Sequence, residues 1–566
     1  MAETLISAGV LARENDQSFI TQGPVTVGAA IIGPTAKGPV EIPTVVTSYS
    51  EYQNKFGSTI TSGSNVYSYF TSIAAYNYFQ NGGETLLVSR VVNGAYTPAV
   101  TTLDGEESAV SVTFKTIGEG ILMNSSSSVN ADGSMDSGSA DNVRWEVLNS
   151  NSGSGTFDLL VRRGNDTTND KSVLETWTNL SLDPFSSNYV AKRIGDQTST
   201  YTADGTSYYL QTSGAYPNAS RYIRVSAVNA TTPNYLDNSG VAKSAYTASI
   251  PVAQSGGFIS ATGDVKDAAK FYDEITSTDT QGLVGTDYTK MINLLSNSDD
   301  YKFNVLITPG LYDADYTTQL TSIISNTQNR GDNLFILDPV KHGATVTAVT
   351  SQAASRNTSY AASYWPWVQV IDPDTGRQVW VPASTLMAGV FAYNDSVSEP
   401  WFAPAGINRG GLGQVVRPER KLAQATRDAL YTNKVNPIAS FPGTGVVVYG
   451  QKTLQTKSTA LDRVNVRRLL IAMKSYIAGV AQNLVFEQNS AATRNNFLAQ
   501  VNPYLEGIQQ KQGLYAFKVV MDETNNTADV IDRNELIGQI YVQPTKTAEY
   551  IYLDFNVTPT GVAFPA

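Results

Sequence analysis

The 566-residue sequence contains no cysteine and only one histidine. These absences exclude a disulfide scaffold, thiol catalysis, and zinc or iron–sulfur sites, because each depends on cysteine or on several histidines. Metal sites built from oxygen ligands remain open.

Charged residues and long apolar runs are also scarce. Charged residues make up 16% of the chain and the net charge is −11, which argues against non-specific binding to a nucleic-acid backbone. No apolar stretch is long enough to span a bilayer, and residues 1–17 lack a basic region followed by an apolar run. The sequence therefore predicts a protein made in the cytosol, with no membrane insertion and no direct contact with nucleic acid.

Polar and aromatic residues are abundant instead. The chain has 31 tyrosines, and asparagine, serine and threonine are also frequent, which is typical of β-structure with polar, aromatic contact surfaces. Because 566 residues exceed what one hydrophobic core accommodates, we expect several domains.

The order of patterns predicts a mixed α+β multidomain fold: an α/β core domain with an inserted β-rich domain, then a C-terminal α+β domain with helices packed on a small sheet, and extended terminal arms. Within the predicted insertion, the alternating segments VRWEVLN, TFDLLVRR and RYIRVSAV indicate strands. The predicted parts are an N-terminal arm (1–22), a discontinuous α/β middle domain (23–92 and 246–420), the outward-facing insertion (93–245), a C-terminal domain (421–545) and a C-terminal linking strand (546–566).

Local patterns support the α/β part. The almost wholly apolar runs Phe303–Ile307 and Leu334–Leu337 predict parallel strands covered on both faces. Apolar spacing predicts a helix over 66–79 that ends at Asn81-Gly82-Gly83. The segment WVQVIDPDTGRQVWVP predicts a hairpin with its turn at 372–376.

The C-terminal part combines helices and strands. Residues 464–489 place apolar side chains on one helical face, with Arg467, Arg468 and Lys474 off it, and a second helix follows through Phe497 and Val501. Strands are predicted in GLYAFKVVMD, in LIGQIYVQP and from residue 550 to residue 557. In the last of these, one face carries Ile551, Leu553, Phe555 and Val557, and the other carries Tyr550, Tyr552, Asp554 and Asn556. We expect this strand to dock in its own domain or on a neighbour.

Patterns that suggest chemistry are weak. The segment 445–453 nearly matches a phosphate-binding loop, but Gln451 displaces the lysine from its required position, so a core strand is the better interpretation. Asp372 and Asp374 supply two oxygens of a calcium-loop pattern without the later glutamate, which favours a hairpin turn. His342 has no second histidine to act with, which favours a surface or packing role.

Glu487 and Asp462 are a conceivable pair of catalytic acids, but sequence spacing gives no reason to place them together. Helix capping or ion pairing with Arg467 and Arg468 is the interpretation that we favour.

Several segments, in order along nearly the whole chain, resemble contractile bacteriophage tail sheath proteins of the myovirus, T4-like type. The resemblance departs at Tyr449-Gly450-Gln451-Lys452-Thr453, where the family usually has Trp-Gly-x-Arg-Thr, and at Phe486-Glu487-Gln488-Asn489, where it usually has Phe-Glu-Pro-Asn. The resembling segments include VGAAIIGPTAKGPVEIPTVVTSYSEYQNKFG, AAYNYFQNGGETLLVSRVV, ETWTNLSLDPFSSNYVAKRIG, FNVLITPG, NRGDNLFILDP, SYWPWVQVIDPDTGRQVWVPASTLMAGVFAYND, APAGINRG, NPIASFPGTGVVVYGQKTL, VNVRRLLIAMKSYI, LVFEQN and IYLDFNVTPTG.

The resemblance implies a structural subunit that forms stacked hexameric rings around an inner tail tube and contracts to drive the tube through the host envelope. It implies no catalysis and no cofactor, a place in the virion after assembly in the host cytoplasm, and contacts with the tube, baseplate and tail terminator proteins. It also implies that the C-terminal domain faces the tube and that terminal strands are exchanged between subunits by β-augmentation. The candidate linking residues are Val10, Leu11, Phe19, Ile20, Tyr550, Ile551, Tyr552, Leu553, Asp554, Phe555, Asn556 and Val557.

Two further interpretations remain open at this point. One is the sheath of a headless device, such as a contractile bacteriocin or an extracellular injection system. The other, of a different class, is a glycan-binding or adhesive surface protein, or a nucleotide-hydrolysing enzyme built on the α/β core.

Overall fold

The computed structural model describes residues 26–62, 65–106, 109–126, 128–264, 272 and 274–552. Within these ranges the buried apolar side chains form three separate clusters, one in each of three packed units, which are here called the core unit, the inserted unit and the C-terminal unit. Sheets and helices occur in all three, so the predicted mixed α+β multidomain fold is confirmed.

The core unit is built on an eight-stranded sheet with the strand order β2-β5-β1-β15-β16-β17-β21-β22. The strands from β5 to β21 in this order run parallel, and β2 and β22 are antiparallel at the edges. The strands are β1 (Thr26–Gly33), β2 (Thr44–Val46), β5 (Leu86–Arg90), β15 (Lys302–Tyr312), β16 (Leu334–Asp338), β17 (Ala361–Trp365), β21 (Val435–Phe441) and β22 (Gly445–Val448).

The parallel strands are buried on both faces, as is typical of parallel sheets whose connections place helices on each side. Every residue of β5, β16 and β17 is buried, as the continuous apolar runs predict. The helices that flank the strands along the chain are α1 (Tyr49–Phe56), α2 (Phe70–Gln80), α5 (Thr289–Leu294), α6 (Thr317–Arg330), α7 (Val346–Ala354), α8 (Ser384–Val397) and α9 (Gln424–Thr432).

The predicted helix over 66–79 begins later than expected, at Phe70. Val66 lies in β4 (Asn65–Ser68), which forms a hairpin with β3 (Thr59–Ser62), so local strand pairing overrides the helical spacing there. The predicted helix end is confirmed, because Gly82 has a φ of 85° and the amide of Gly83 donates to the Tyr78 carbonyl.

The predicted hairpin is also confirmed. It consists of β18 (Val368–Ile371) and β19 (Gln378–Val381), and β20 (Val415–Pro418) pairs with the other side of β18. The Asp372 side chain accepts from the Asp374 amide, and Gly376 adopts a φ of 67°. Asp372 therefore shapes a turn, as the turn chemistry predicts.

The inserted unit packs two sheets around one core. A four-stranded sheet (β10-β9-β8-β14) and a three-stranded sheet (β13-β7-β6) both contribute side chains to its cluster, and β11 and β12 form a separate hairpin. Its elements are β6 (Pro98–Asp104), β7 (Val110–Glu119), β8 (Val143–Asn151), β9 (Thr156–Arg163), β10 (Val173–Ser181), α3 (Val190–Ile194), β11 (Thr198–Asp204), β12 (Ser207–Ser213), β13 (Ile223–Val228), α4 (Ser244–Thr247) and β14 (Ser255–Gly257). The three strands predicted from sequence alternation appear as β8, β9 and β13.

The C-terminal unit packs two long helices against a small sheet. Its elements are α10 (Val464–Gln482), α11 (Ala491–Gln510), β23 (Leu514–Val520), α12 (Ala528–Asp532) and β24 (Gln539–Pro544). Leu469 and Met473 on α10 meet Phe497, Val501 and Leu505 on α11 in the third cluster, as the helical spacing predicts.

The division of the chain into domains stays a prediction, and two sheets extend past its boundaries. Strand β14 pairs with β8 although it follows residue 245, and β21 and β22 join the core sheet although they follow residue 421.

Candidate assembly interface

Most of the predicted linking residues lie outside the residues that the structure describes, namely Val10, Leu11, Phe19, Ile20, Leu553, Asp554, Phe555, Asn556 and Val557. Tyr550, Ile551 and Tyr552 are described, lie in no helix or strand, and are 68%, 77% and 87% exposed. The role of all these residues stays a prediction.

The small sheet of β23 and β24 is the structural feature next to these residues. Its inner face carries Phe517, Val519, Ile540 and Val542, which pack against the helices, and its outer face exposes Tyr515 and Tyr541. Among the described residues, neither outer edge of this sheet pairs with another strand. Both edges are therefore available for strand addition. Because two-stranded sheets are marginally stable on their own, an added strand would also stabilise this one.

A carboxylate clamp fixes the chain just before residue 550. Both oxygens of Glu549 accept hydrogen bonds from Arg463, at 2.7 Å from Nε and 3.0 Å from Nη2. The Tyr431 hydroxyl donates to Oε2 at 2.9 Å, and Nε2 of Gln451 lies 3.1 Å from Oε1. A two-point guanidinium–carboxylate pair of this kind is directional as well as strong.

Burial keeps the clamp intact. The Glu549 and Arg463 side chains are 17% and 24% exposed, and burial raises the pKa of the Tyr431 phenol above its ordinary value, so the phenol remains a donor. Gln451 also donates to the Thr547 hydroxyl at 2.6 Å. The tail therefore leaves the core unit at a defined point.

The clamp was missed by sequence reasoning. Gln451 was noted only for displacing a lysine, yet it is buried and holds the tail. The core strand expected in the VVVY run, residues 446–449, is confirmed as β22 (Gly445–Val448), which pairs with β21. Nothing in the sequence links Gln451 with Glu549, because 98 residues separate them.

Arg467 and Arg468 correct the sequence interpretation. They were placed off the apolar face with Asp462 or Glu487 as partners, but both are buried. Arg468 forms a two-point pair with Asp395 of α8 at 2.9 and 2.5 Å. The other guanidinium lies 4.0 Å from the centre of the Tyr360 ring. These contacts attach α10 to the core unit.

Asp462 and Glu487 have separate environments. Asp462 pairs with Arg463 at 2.9 Å, whereas Glu487 is exposed in the connection between α10 and α11. The neighbouring Val485 and Phe486 are 59% and 100% exposed, and Phe486 has a φ of 70°. An unpacked aromatic side chain in a left-handed backbone conformation adds to the apolar surface of this unit.

His342 packs among aromatic rings, as expected. Its ring centre lies 5.7 Å from that of Trp367 and 5.1 Å from that of Trp380. In the parts of the chain that the structure describes, no three histidine or acidic side chains gather into a possible metal site, and no helix is both long and apolar enough to cross a bilayer.

Two regions of the chain match models of known protein domains. Residues 281–454 match the model of the phage tail sheath protein central domain, and residues 456–558 match that of the phage tail sheath C-terminal domain. Over these two regions the chain is similar to phage tail sheath proteins.

Individual tail sheath proteins of phages are also similar to the chain. The tail sheath protein of Vibrio phage KVP40 is 43% identical over 208 residues, which are 37% of this chain and 31% of the relative. That of Salmonella phage ViI is 31% identical over 323 residues, which are 53% of this chain and 51% of the relative. The chain thus spans about a third to a half of the length of these relatives.

A solved structure shares the fold. A sheath tail protein from Listeria innocua superimposes with a TM-score of 0.52, at 10% sequence identity, over 92% of this chain and 96% of its own.

Proposed function

We propose that the protein is a structural subunit of a contractile phage tail sheath. It polymerises as stacked hexameric rings around the inner tail tube, and it contracts to drive the tube through the host envelope during genome delivery. The observation that carries the proposal is the open-edged sheet of β23 and β24, which lies within the segment similar to the phage tail sheath C-terminal domain.

Strand addition would complete that sheet. An N-terminal arm from one neighbour, through Val10, Leu11, Phe19 and Ile20, and the C-terminal strand 550–557 from another supply main-chain donors and acceptors to its two edges. Backbone hydrogen bonds of this kind hold subunits together while the rigid units rotate.

The Glu549 clamp supports the proposal that the C-terminal strand of one subunit adds to the sheet of a neighbour. It holds residues 547–549 against the core unit, and residues 550–552 that follow are exposed. A tail anchored at one end and exposed beyond that anchor is suited to reach a neighbouring subunit.

The inserted unit faces outward in this proposal and is dispensable for assembly, whereas the C-terminal unit faces the tube. Neither matched family model extends into residues 93–245. The ends of the inserted unit also meet, because the hydroxyls of Thr97 and Thr262 lie 2.9 Å apart. The chain thus enters and leaves the inserted unit at neighbouring points.

The remaining partners follow from the same role: other copies of this chain, the inner tail tube protein, and the baseplate and tail terminator proteins. The role requires no catalysis and no cofactor, and it places the protein in the virion after assembly in the host cytoplasm. The curated relatives are named tail sheath proteins of phages, which favours a phage tail over a headless device.

Electron microscopy of the purified full-length protein tests the proposal, and we expect hollow helical tubes. Deletion of residues 1–20, or the double change Leu553→Asp and Phe555→Asp, should leave folded, soluble subunits that form no tubes. A matched control places the same charges at Phe185 and Val241, which are 76% and 60% exposed on the inserted unit, and it should still form tubes. Normal tubes from either linking variant would contradict the exchange model.

Excision of the inserted unit tests its dispensability. Joining Thr97 directly to Thr262 should leave a protein that still forms tubes of reduced outer diameter, since the two residues are already adjacent. A folded product that forms no tubes would show that the inserted unit takes part in assembly.

A further inference from the structure

A cavity lies at the junction of the core and inserted units. Its volume is about 590 Å³, within the range of small-molecule sites. The loop that follows β1 forms one wall, and the ends of β7 and β13 form another.

Three guanidinium groups line the wall of this cavity. Arg163 is the last residue of β9, Arg224 lies in β13, and Arg221 lies just before β13. Within the part of the chain that the structure describes, their side chains make no hydrogen bond and no ion pair, and Arg221 donates only through its backbone amide. The other cations of the wall are neutralised, Lys37 by Asp141 at 3.0 Å and Lys55 by Glu51 at 3.0 Å.

One unpaired carboxylate opposes these charges. Glu119 lies at the end of β7, and burial raises its pKa to about 7. Three guanidinium charges against at most one carboxylate leave the cavity positive in a chain whose net charge is −11. Burial also lowers the pKa of Arg224, and attraction to Glu119 and Asp196 offsets that shift only in part.

We propose that this cavity binds a small anion that carries two or more phosphate or carboxylate groups. Guanidinium groups present paired donors that match the oxygens of both groups. Neutral donors next to them, Asn218 and Tyr222, also line the cavity and supply contacts to further oxygens. A ligand there touches both units at once and therefore restrains the inserted unit relative to the core unit.

Calorimetric titration of the full-length protein at low ionic strength tests the site, with pyrophosphate and citrate as probes. Binding of pyrophosphate alone identifies a phosphate site, binding of citrate alone identifies a carboxylate site, and binding of both supports recognition of multivalent anions in general. Binding of neither overturns the proposal.

Variants tie any binding to the cavity. Arg224→Gln and Arg163→Gln should each weaken binding at least tenfold, and Glu119→Gln should strengthen it severalfold because the opposing charge is removed. The matched control is Arg193→Gln, an exposed arginine of α3 in the same unit that does not line the cavity. Equal loss in the control and in Arg224→Gln overturns the proposal, since it indicates non-specific attraction.

The folding of each variant is checked by its circular dichroism spectrum and its melting temperature. A second readout is hydrogen exchange of residues 37–44 and 221–224, which should slow when the probe is added to the wild type and not when it is added to Arg224→Gln. Unchanged exchange in the wild type at saturating probe places the bound anion elsewhere and overturns the proposal.

Discussion

The inserted unit and the C-terminal unit satisfy their own interactions to very different extents. The inserted unit closes two sheets on one core and pairs the buried Arg144 and Arg162 with Asp166 inside the unit. The C-terminal unit supports an open two-stranded sheet on two helices and exposes Tyr515, Tyr541 and Phe486. The first is complete within one chain, whereas the second has edges and apolar surface to which a partner can bind.

Mutations that lower stability and mutations that prevent assembly should therefore lie in different units. Changes inside the inserted unit should lower its own stability and leave assembly intact. Changes in the C-terminal unit should lower stability more in free subunits than in assembled ones. The following variants test that contrast.

The largest effect is expected at the buried ion pair of the inserted unit. Both oxygens of Asp166 accept from Arg162 at 2.8 Å, and Arg144 lies 3.3 Å away. Arg162→Met should lower the free energy of unfolding of this unit by about 3 to 5 kcal/mol, because it removes the principal partner of a buried carboxylate. Hydrogen exchange of β8 and β9 during a urea titration measures the loss.

The control for this change is Arg533→Met, which breaks the exposed pair with Glu535 at 3.1 Å. Exposed pairs contribute little, so we expect a free energy of unfolding close to that of the wild type. Faster exchange in α10 and α11 of Arg162→Met, to the same extent as in β8 and β9, would break the proposed independence of the two units.

The next largest effect is the pH dependence of the free energy of unfolding, which arises from Glu119 at the junction of the inserted and core units. Burial raises the folded-state pKa of Glu119 from an ordinary 4.5 to about 7, so folding favours its protonated form. Its contribution to the free energy of unfolding is therefore greatest below about pH 4.5, falls as pH rises to about 7, and is constant above that. The total fall is about 3 kcal/mol, an order-of-magnitude value.

Glu119→Gln should remove this fall, which urea titrations between pH 5 and pH 8 measure. The exposed Glu106 of the same unit offers the control Glu106→Gln, for which the pH profile should match the wild type. A wild-type profile that rises from pH 5 to pH 7 by the same amount would contradict the burial of the carboxyl.

At the C-terminal tail, Glu549→Gln should cost about 1.5 to 3 kcal/mol of local stability, since it removes charge-assisted hydrogen bonds from Arg463. We expect faster hydrogen exchange at residues 545–549 and fewer tubes, with the circular dichroism spectrum unchanged. Glu506→Gln, on the exposed side of α11, is the control. If hydrogen exchange at residues 545–549 of Glu549→Gln equals that of the wild type, the clamp does not hold the tail and has no role in assembly.

The sequence predicts the features that depend on local periodicity. The run Leu334–Leu337 predicts a buried parallel strand because parallel strands are covered on both faces. The spacing of Phe497, Val501 and Leu505 predicts one helix face because neighbours on that face recur every three or four residues. These are regularities that a short window of sequence contains.

The sequence does not predict contacts made over long separations. Arg467 and Arg468 lie off the apolar stripe of their helix, which indicates solvent, yet Tyr360 and Asp395 of the core unit cover them. Glu549 meets Arg463 across 86 residues. Such pairs depend on how whole units pack, and no periodicity within either segment specifies that packing.

The smallest effect is the most direct test of an incomplete C-terminal unit. The Ser490 hydroxyl caps α11 by accepting from the Thr493 amide at 3.3 Å, and the Thr345 hydroxyl caps α7 of the core unit by accepting from the Ala348 amide at 3.2 Å. Replacing either residue by alanine should cost about 1 kcal/mol.

The two losses should spread differently. Around α7 the extensive core should confine faster hydrogen exchange to the first turn of the helix. Around α11 the small cluster leaves little stability in reserve, so exchange should rise through α11 and β23 in free subunits and return to wild-type values in assembled tubes, where added strands supply the missing contacts. If the effect of Ser490→Ala stays in the first turn of α11 in free subunits, the C-terminal unit is as complete as the core unit, and the contrast between a closed inserted unit and an open C-terminal unit fails.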